Sequence, residues 1–130
     1  MGADGLLVMH GGGPTAVINA SLYGAVTEAL ANPSVGRVLG AIGGVGGITE
    51  GNLLDFAGVL ASRLEMLPSS PSSAIGSSRK PLGPDDYVEI ARALERQGIR
   101  WLLCTGGNGT QDTCGKIWRA CRASWLRVYR

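Results

Sequence analysis

No apolar run in this chain approaches the ~18 residues that a bilayer-crossing helix needs, so no membrane span is expected. Cysteine is scarce, with only Cys104, Cys114 and Cys121. The count is odd and no Cys-x-x-Cys pair occurs, which argues against a disulfide framework or a zinc site and fits a reducing compartment. Cys104 lies inside an apolar run and reads as a small buried hydrophobe. Histidine occurs once, at His10, which excludes a multi-histidine metal site. A strong charge of either sign is also lacking. Twelve Lys and Arg against ten Asp and Glu leave +2, too little for the electrostatic footprint of a nucleic-acid binder. Trp101, Trp118 and Trp125 lack the basic interleaving of a base-stacking surface and read as core or interface residues. Lys116, Arg119, Arg122, Arg127 and Arg130 read as a solvated basic end. The opening residues lack the basic start and long apolar core of a secretory signal. The expectation is a cytoplasmic protein that engages neither membrane nor nucleic acid.

Glycine, by contrast, is abundant, at 21 of 130 residues. It clusters at Gly11-Gly12-Gly13, at Gly43-Gly44-Val45-Gly46-Gly47 and at Gly106-Gly107-Asn108-Gly109. No collagen-like three-residue period links the clusters. Beside apolar runs, such clusters mark tight turns and close backbone approach to a ligand. With 45% hydrophobic residues, the chain has enough apolar mass for a core.

Residues 5–10 (GLLVMH) form a short apolar run ended by glycines, which predicts a buried strand. From Pro14 the pattern turns helical, with Val17, Leu22, Ala25, Val26, Ala29 and Leu30 on one stripe, and Asn32-Pro33 ends it. Residues 35–42 predict a second strand, and strand–helix–strand suggests a parallel βαβ unit. The Gly43–Gly47 cluster predicts a flexible loop. Residues 53–67 predict a helix with Leu53, Leu54, Ala57, Leu60, Ala61 and Leu64 as its inner face. The Pro- and Ser-rich stretch 68–73 predicts a loop. It runs into Gly76-Ser77-Ser78-Arg79, which can hold a phosphate. Asp85 and Asp86 mark a helix start, Val88, Ala91, Ala93 and Leu94 its inner face, and Gly98 its end. Residues 99–105 (IRWLLCT) predict a third strand and 110–123 a further helix. The fold class expected is α/β, a Rossmann-like, mainly parallel sheet flanked by helices.

Two strands therefore run straight into glycine-rich turns that open helices. In a parallel sheet both turns lie at the C-terminal ends of their strands, where ligands bind. Glycines there let backbone N–H groups approach an anion, and the following helix N-terminus favours negative charge. Either turn alone is as well explained by tight packing; the pair suggests a polyphosphate held between them. Neither is a P-loop, because Gly115-Lys116 is followed by Ile117, and neither is a dinucleotide fingerprint, because Asp112 stands where the third glycine belongs. His10, at a strand end beside a glycine turn, can either touch phosphate or pack.

The string Gly12-Gly13-Pro14-Thr15-Ala16-Val17-Ile18-Asn19-Ala20 resembles the opening motif of the phosphofructokinases. Gly76-Ser77-Ser78-Arg79 is similar to their second phosphate-contact segment, and Gly106-Gly107-Asn108-Gly109-Thr110 to their metal and phosphate loop. Order and spacing agree over residues 5–123. The resemblance implies a 6-phosphofructokinase of glycolysis, transferring a phosphoryl group to fructose 6-phosphate with Mg2+. Gly12, Gly13, Gly107, Gly109 and Thr110 would hold the donor, and Arg79 would neutralise phosphate charge in the transition state. Asn108 stands where the family typically has a metal-binding Asp, and a neutral amide is a weaker partner for a hard cation. Asp112 reads as a first-turn helix carboxylate. In the family, Gly at the position of Gly109 is associated with ATP and Asp with pyrophosphate, which leans the expectation towards ATP. Residues 1–130 would be the donor-binding part of the N-terminal domain. The Thr-Ile-Asp-Asn-Asp segment that supplies the family's base does not occur in them, nor does the sugar-phosphate half. The expectation is an N-terminal fragment, inactive alone and part of a homo-oligomer when complete. The alternatives are a pyrophosphate-dependent enzyme or a non-catalytic phosphate-binding remnant.

Overall fold

The computed structural model describes residues 4–13, 17–70, 73–77 and 81–123. Among them, four strands form one sheet: β1 (Gly5–His10), β2 (Arg37–Ala41), β3 (Leu53–Asp55) and β4 (Ile99–Thr105), in the order β3-β2-β1-β4. β1 runs parallel to both β2 and β4, with Leu7 opposite Leu39 on one side and Leu102 on the other. β3 pairs antiparallel with β2, Gly40 facing Leu54. β1 and β4 coincide with the predicted runs; β1 is buried almost throughout, and β4 buries Ile99 and Leu102.

The helices are α1 (Ile18–Ala31), α2 (Val45–Glu50), α3 (Ala61–Leu64), α4 (Pro84–Arg96) and α5 (Asn108–Ala123). Helix α1 buries Ile18, Leu22, Val26 and Ala29, at steps of four, four and three. Its face is rotated from the predicted one: Val17 and Leu30 are exposed. Helix α4 follows the predicted signals. The Asp86 carboxylate accepts the Gly83 N–H at 2.8 Å, and the chain leaves the helix through Gly98 at φ 67°. Ile90, Ala91, Ala93 and Leu94 are buried, whereas Val88 is exposed.

Two stretches differ from expectation. The Gly43–Gly47 cluster is a helix start, not a loop. Helix α2 lies so close to the end of β2 that a Cβ at Gly47 would strike the Ile42 carbonyl oxygen and come within 3.1 Å of the Asn52 carbonyl oxygen. Proximity, rather than flexibility, explains that glycine. The predicted helix over 53–67 is instead β3, a 3-10 turn over Phe56–Gly58, the single turn α3 and a second 3-10 turn over Leu67–Ser69. The Asp55 carboxylate accepts the Ala57 N–H at 3.0 Å, an Asx-type bond that caps a turn where a helix would need to continue. Phe56, Leu64 and Leu67 are buried, and Leu60 is exposed.

The core lies on both faces of the sheet. On one face Leu7, Met9, Leu39, Ala41 and Leu102 pack with Ile48 of α2, Ile90 and Leu94 of α4, and Ile117 and Cys121 of α5. On the other, Val8 and Val38 pack with Leu22, Val26 and Ala29 of α1, and with Phe56, Leu64, Leu67 and Ile75. The helix after β1 and the helix after β4 therefore cover opposite faces. Between two such neighbouring strands the connections diverge and leave a crevice at the strands' C-terminal ends, the usual ligand position in α/β sheets. Among the described residues no helix is long and apolar enough to cross a membrane.

Candidate functional site

The crevice is built by the glycine turns after β1 and β4. The Gly11 N–H donates to the Thr105 carbonyl at 3.0 Å, so the two turns are tied directly together. Thr110, buried in the first turn of α5, wedges against both. A Cβ on Gly11 would collide with the Thr110 hydroxyl and lie 3.1 Å from its Cγ2, and a Cβ on Gly106 would meet the same hydroxyl and lie 2.6 Å from the Gly11 carbonyl oxygen. Gly12 turns the chain with φ 68°, a conformation that side chains rarely adopt.

The resulting cleft, of about 350 Å³, is lined by Met9, His10, Gly11, Gly12, Val45, Leu82, Gly107, Gly109, Thr110 and Thr113. Of the sequence-predicted residues it brings together Gly12, Gly107, Gly109 and Thr110. Gly13 lines a second hollow on the α1 side of the two turns, with Gly12, Val17, Ile18 and Gly107. Gly12 and Gly107 border both spaces. Asn108 is exposed at the start of α5, and Arg79 and Ser78 lie outside the described residues. Gly11 carried no separate signal in the sequence beyond its place in the cluster. Val45 and Leu82 come from distant segments that only the fold brings here.

Helix α5 begins at Asn108, two residues earlier than predicted, so the expected loop is a helix N-terminus. The Gly107 carbonyl accepts the Gln111 N–H at 3.1 Å. That leaves the amides of residues 108–110 without an intrahelical acceptor. No acidic residue stands in this first turn, so the positive end of the helix is not offset by a carboxylate. Asp112, one turn further on, forms an ion pair with Lys116 at 2.8 Å. Among the described residues no Lys or Arg lines the cleft. Nor do three His, Cys, Asp or Glu cluster as a metal cage.

Hydrogen bonds hold the segment 73–77 against this site. The Ser77 hydroxyl donates to the Gly12 carbonyl. Asn19, buried on α1, donates from its side chain to the Ser70 carbonyl at 3.0 Å and accepts the Ala74 N–H at 2.8 Å. His10 meets the Ser73 hydroxyl through Nδ1 at 2.6 Å. His10 is fully buried, its Nε2 finds no partner among the described residues, and burial lowers its pKa. The sequence left His10 open between phosphate contact and packing; its side chain anchors the serine segment. The Gly43 N–H adds a bond to the Ile75 carbonyl at 2.8 Å.

A family model described as phosphofructokinase matches residues 5–128. The pyrophosphate–fructose 6-phosphate 1-phosphotransferase of Rhodospirillum rubrum is 41% identical over 108 residues, covering 83% of this chain and 27% of that protein. The like-named protein of Xanthomonas campestris is 35% identical over 123 residues, covering 91% of this chain and 29% of its own length. The solved structure of a pyrophosphate-dependent phosphofructokinase from Marinobacter aquaeolei superposes with a TM-score of 0.89 at 25% identity, over 96% of this chain and 31% of that one. The chain thus spans less than a third of the length of these relatives.

Proposed function

Because this chain belongs to the phosphofructokinase family, we propose that the β1–β4 cleft holds the phosphoryl donor of a sugar-phosphate kinase, and that the donor is pyrophosphate. The observation that carries the reading is the union of two glycine turns, joined by the Gly11–Thr105 bond, at the open N-terminus of α5. Free amides and an uncompensated helix dipole attract an anion without any conformational change. Glycine at the rim lets phosphate oxygens reach the backbone.

Arg79 would supply the charge that the described lining lacks. It follows Ser77 by two residues, a span of at most about 7 Å, and Ser77 is bonded to Gly12. A guanidinium suits phosphoryl transfer because its planar donors match phosphate oxygens pairwise. Developing negative charge would be met by groups already fixed in place, which is where such catalysis gains most of its rate. Mg2+ fits these residues only in its usual phosphate-rich mode, held by donor oxygens and water with at most one protein ligand. Asn108 would be that ligand, and the ion would supply charge neutralisation. The acceptor, fructose 6-phosphate, and the base that takes its hydroxyl proton would be held by residues outside these 130. In this reading the chain is the donor-binding part of a cytoplasmic enzyme, homo-oligomeric when complete.

Pyrophosphate is preferred over ATP because the similar proteins above carry it in their names. ATP keeps one specific observation in its favour. A Cβ at Gly109 would meet nothing within 4 Å, so the room a nucleotide needs is there. Isothermal titration of the 130-residue chain with each donor, with and without Mg2+, tests the proposal. Tighter binding of pyrophosphate than of ATP, with no fructose 1,6-bisphosphate formed on adding fructose 6-phosphate, is the expected result. Tighter ATP binding would reverse the donor assignment. Binding of neither would refute the donor cleft, and binding without turnover even in the complete enzyme would leave the non-catalytic remnant.

A further inference from the structure

Two cysteines lie on either side of the β4–α5 turn. Helix α5 turns Thr110, Cys114, Ile117 and Cys121 towards the sheet at steps of four, three and four. Thr110, Ile117 and Cys121 are buried, and Cys114 is half-buried. On β4, Leu102 and Cys104 belong to the face that α5 covers. Cys104 is thereby set against Cys114, and the two thiols are in hydrogen-bond contact. Both also line a surface groove of about 460 Å³ with Leu102, Leu103, Thr105 and Gln111, so small reagents can reach them. The expectation that Cys104 is merely buried misses this contact, because residues ten apart with no Cys-x-x-Cys spacing give no sequence signal.

We infer that Cys104 and Cys114 are a modification site: they form a reversible intramolecular disulfide whose ring encloses the turn Gly106–Thr110. The Cys114 hydrogen bond, and after it burial, hold the Cys104 thiol protonated, far above its ordinary value. The thiolate is the nucleophile; attack from either cysteine gives the same disulfide, here through Cys114. Its thiolate attacks a low-molecular-weight disulfide such as oxidised glutathione and expels one glutathione thiolate. The Cys104 thiol then gives up its proton to water, and its sulfur displaces the second glutathione from Cys114. Two protein thiols and one glutathione disulfide become one protein disulfide and two glutathiones. Cys121 takes no part. It is fully buried in the core and its thiol is pushed up to about 11 by burial. The inference does not depend on which donor the cleft takes.

Peptide mapping tests it on the folded chain. The protein is oxidised with glutathione disulfide, alkylated before and after unfolding, and cut with trypsin. Cleavage after Arg100 and Lys116 leaves residues 101–116, with both cysteines, on one peptide. The expected result is that peptide two hydrogens lighter, restored by dithiothreitol, with Cys121 alkylated only after unfolding. Cys104→Ser should instead accumulate glutathione on Cys114. Full alkylation of Cys104 and Cys114 after oxidation of the wild-type chain would overturn the inference, as would a cross-link to Cys121.

Discussion

Replacing Gly11 by alanine tests the geometry of the two turns. No left-handed backbone is needed at Gly11, so the cost is one of contact alone. The new Cβ would meet the Thr110 hydroxyl, with Cγ2 at 3.1 Å and Cβ at 3.2 Å. The Thr110 Cβ itself lies at 3.2 Å, so rotating the side chain does not fully clear the space. Overpacking of this kind costs about 1–3 kcal/mol. Loss of glycine's freedom in the unfolded chain returns about 0.4–1 kcal/mol, so destabilisation wins. At this chain length the net loss corresponds to a fall in Tm of up to roughly 10 °C. Thr110→Ala removes the hydroxyl and Cγ2 together, so the double variant should recover part of the loss. The coupling should lie in the range of about 0.5–3 kcal/mol typical of residues in contact. Gly106→Ala behaves differently, because its Cβ would also press within 2.6 Å of the Gly11 carbonyl oxygen, which Thr110→Ala leaves in place. Urea unfolding of the three single and two double variants provides the assay. Additive losses for Gly11→Ala with Thr110→Ala, or equal rescue at Gly106, would refute the wedge.

Gly109→Asp should leave the fold intact, since its Cβ meets open space and a carboxylate in the first turn of a helix is favourable. It should weaken ATP binding far more than pyrophosphate binding, measured by titration; equal losses would mean that no nucleotide passes this residue. Asn108→Asp should strengthen Mg2+-dependent donor binding by adding charge for a hard cation, and unchanged affinity would remove Asn108 from the metal. His10 should shape the acid limb of stability. Burial lowers its pKa from 6.5, so the unfolded chain binds the extra proton first. Its contribution is present above pH 6.5 and is lost as pH falls below that value. With one histidine in the chain, His10→Gln should flatten the slope just below pH 6.5; an unchanged slope would contradict the assignment.

How far the sequence could be read depended on which interactions decide each segment. Residues 5–10 and 99–105 form strands whose apolar runs are bounded by glycines, so local pattern and final structure agree. Helix α4 carries its own start and stop in Asp86 and Gly98. The leucines of 53–67 fit a helical period, yet Leu53 and Leu54 pair with β2 and Asp55 turns the chain. Periodicity over so short a stretch cannot separate the two outcomes. Helix α2 was hidden by its glycines, whose poor helix propensity is outweighed by packing against Ile42 and α4. Within the site, Gly12, Gly107, Gly109 and Thr110 were legible because they lie next to strand ends. The anchoring of residues 73–77 by His10 and Asn19 was not, since those contacts span 51 to 63 residues.

The central claim is that pyrophosphate sits between the two glycine turns, at the N-terminus of α5. Amide chemical-shift mapping by ¹⁵N–¹H NMR tests it most directly, because the proposed contacts are backbone N–H groups. On titration with pyrophosphate, the account predicts shifts concentrated at Gly11, Gly12, Gly107, Asn108, Gly109 and Thr110, with weaker effects at Ser77. Shifts centred instead on the N-terminus of α4, at Gly83 to Asp86, or no shifts at all at saturating pyrophosphate, would contradict it.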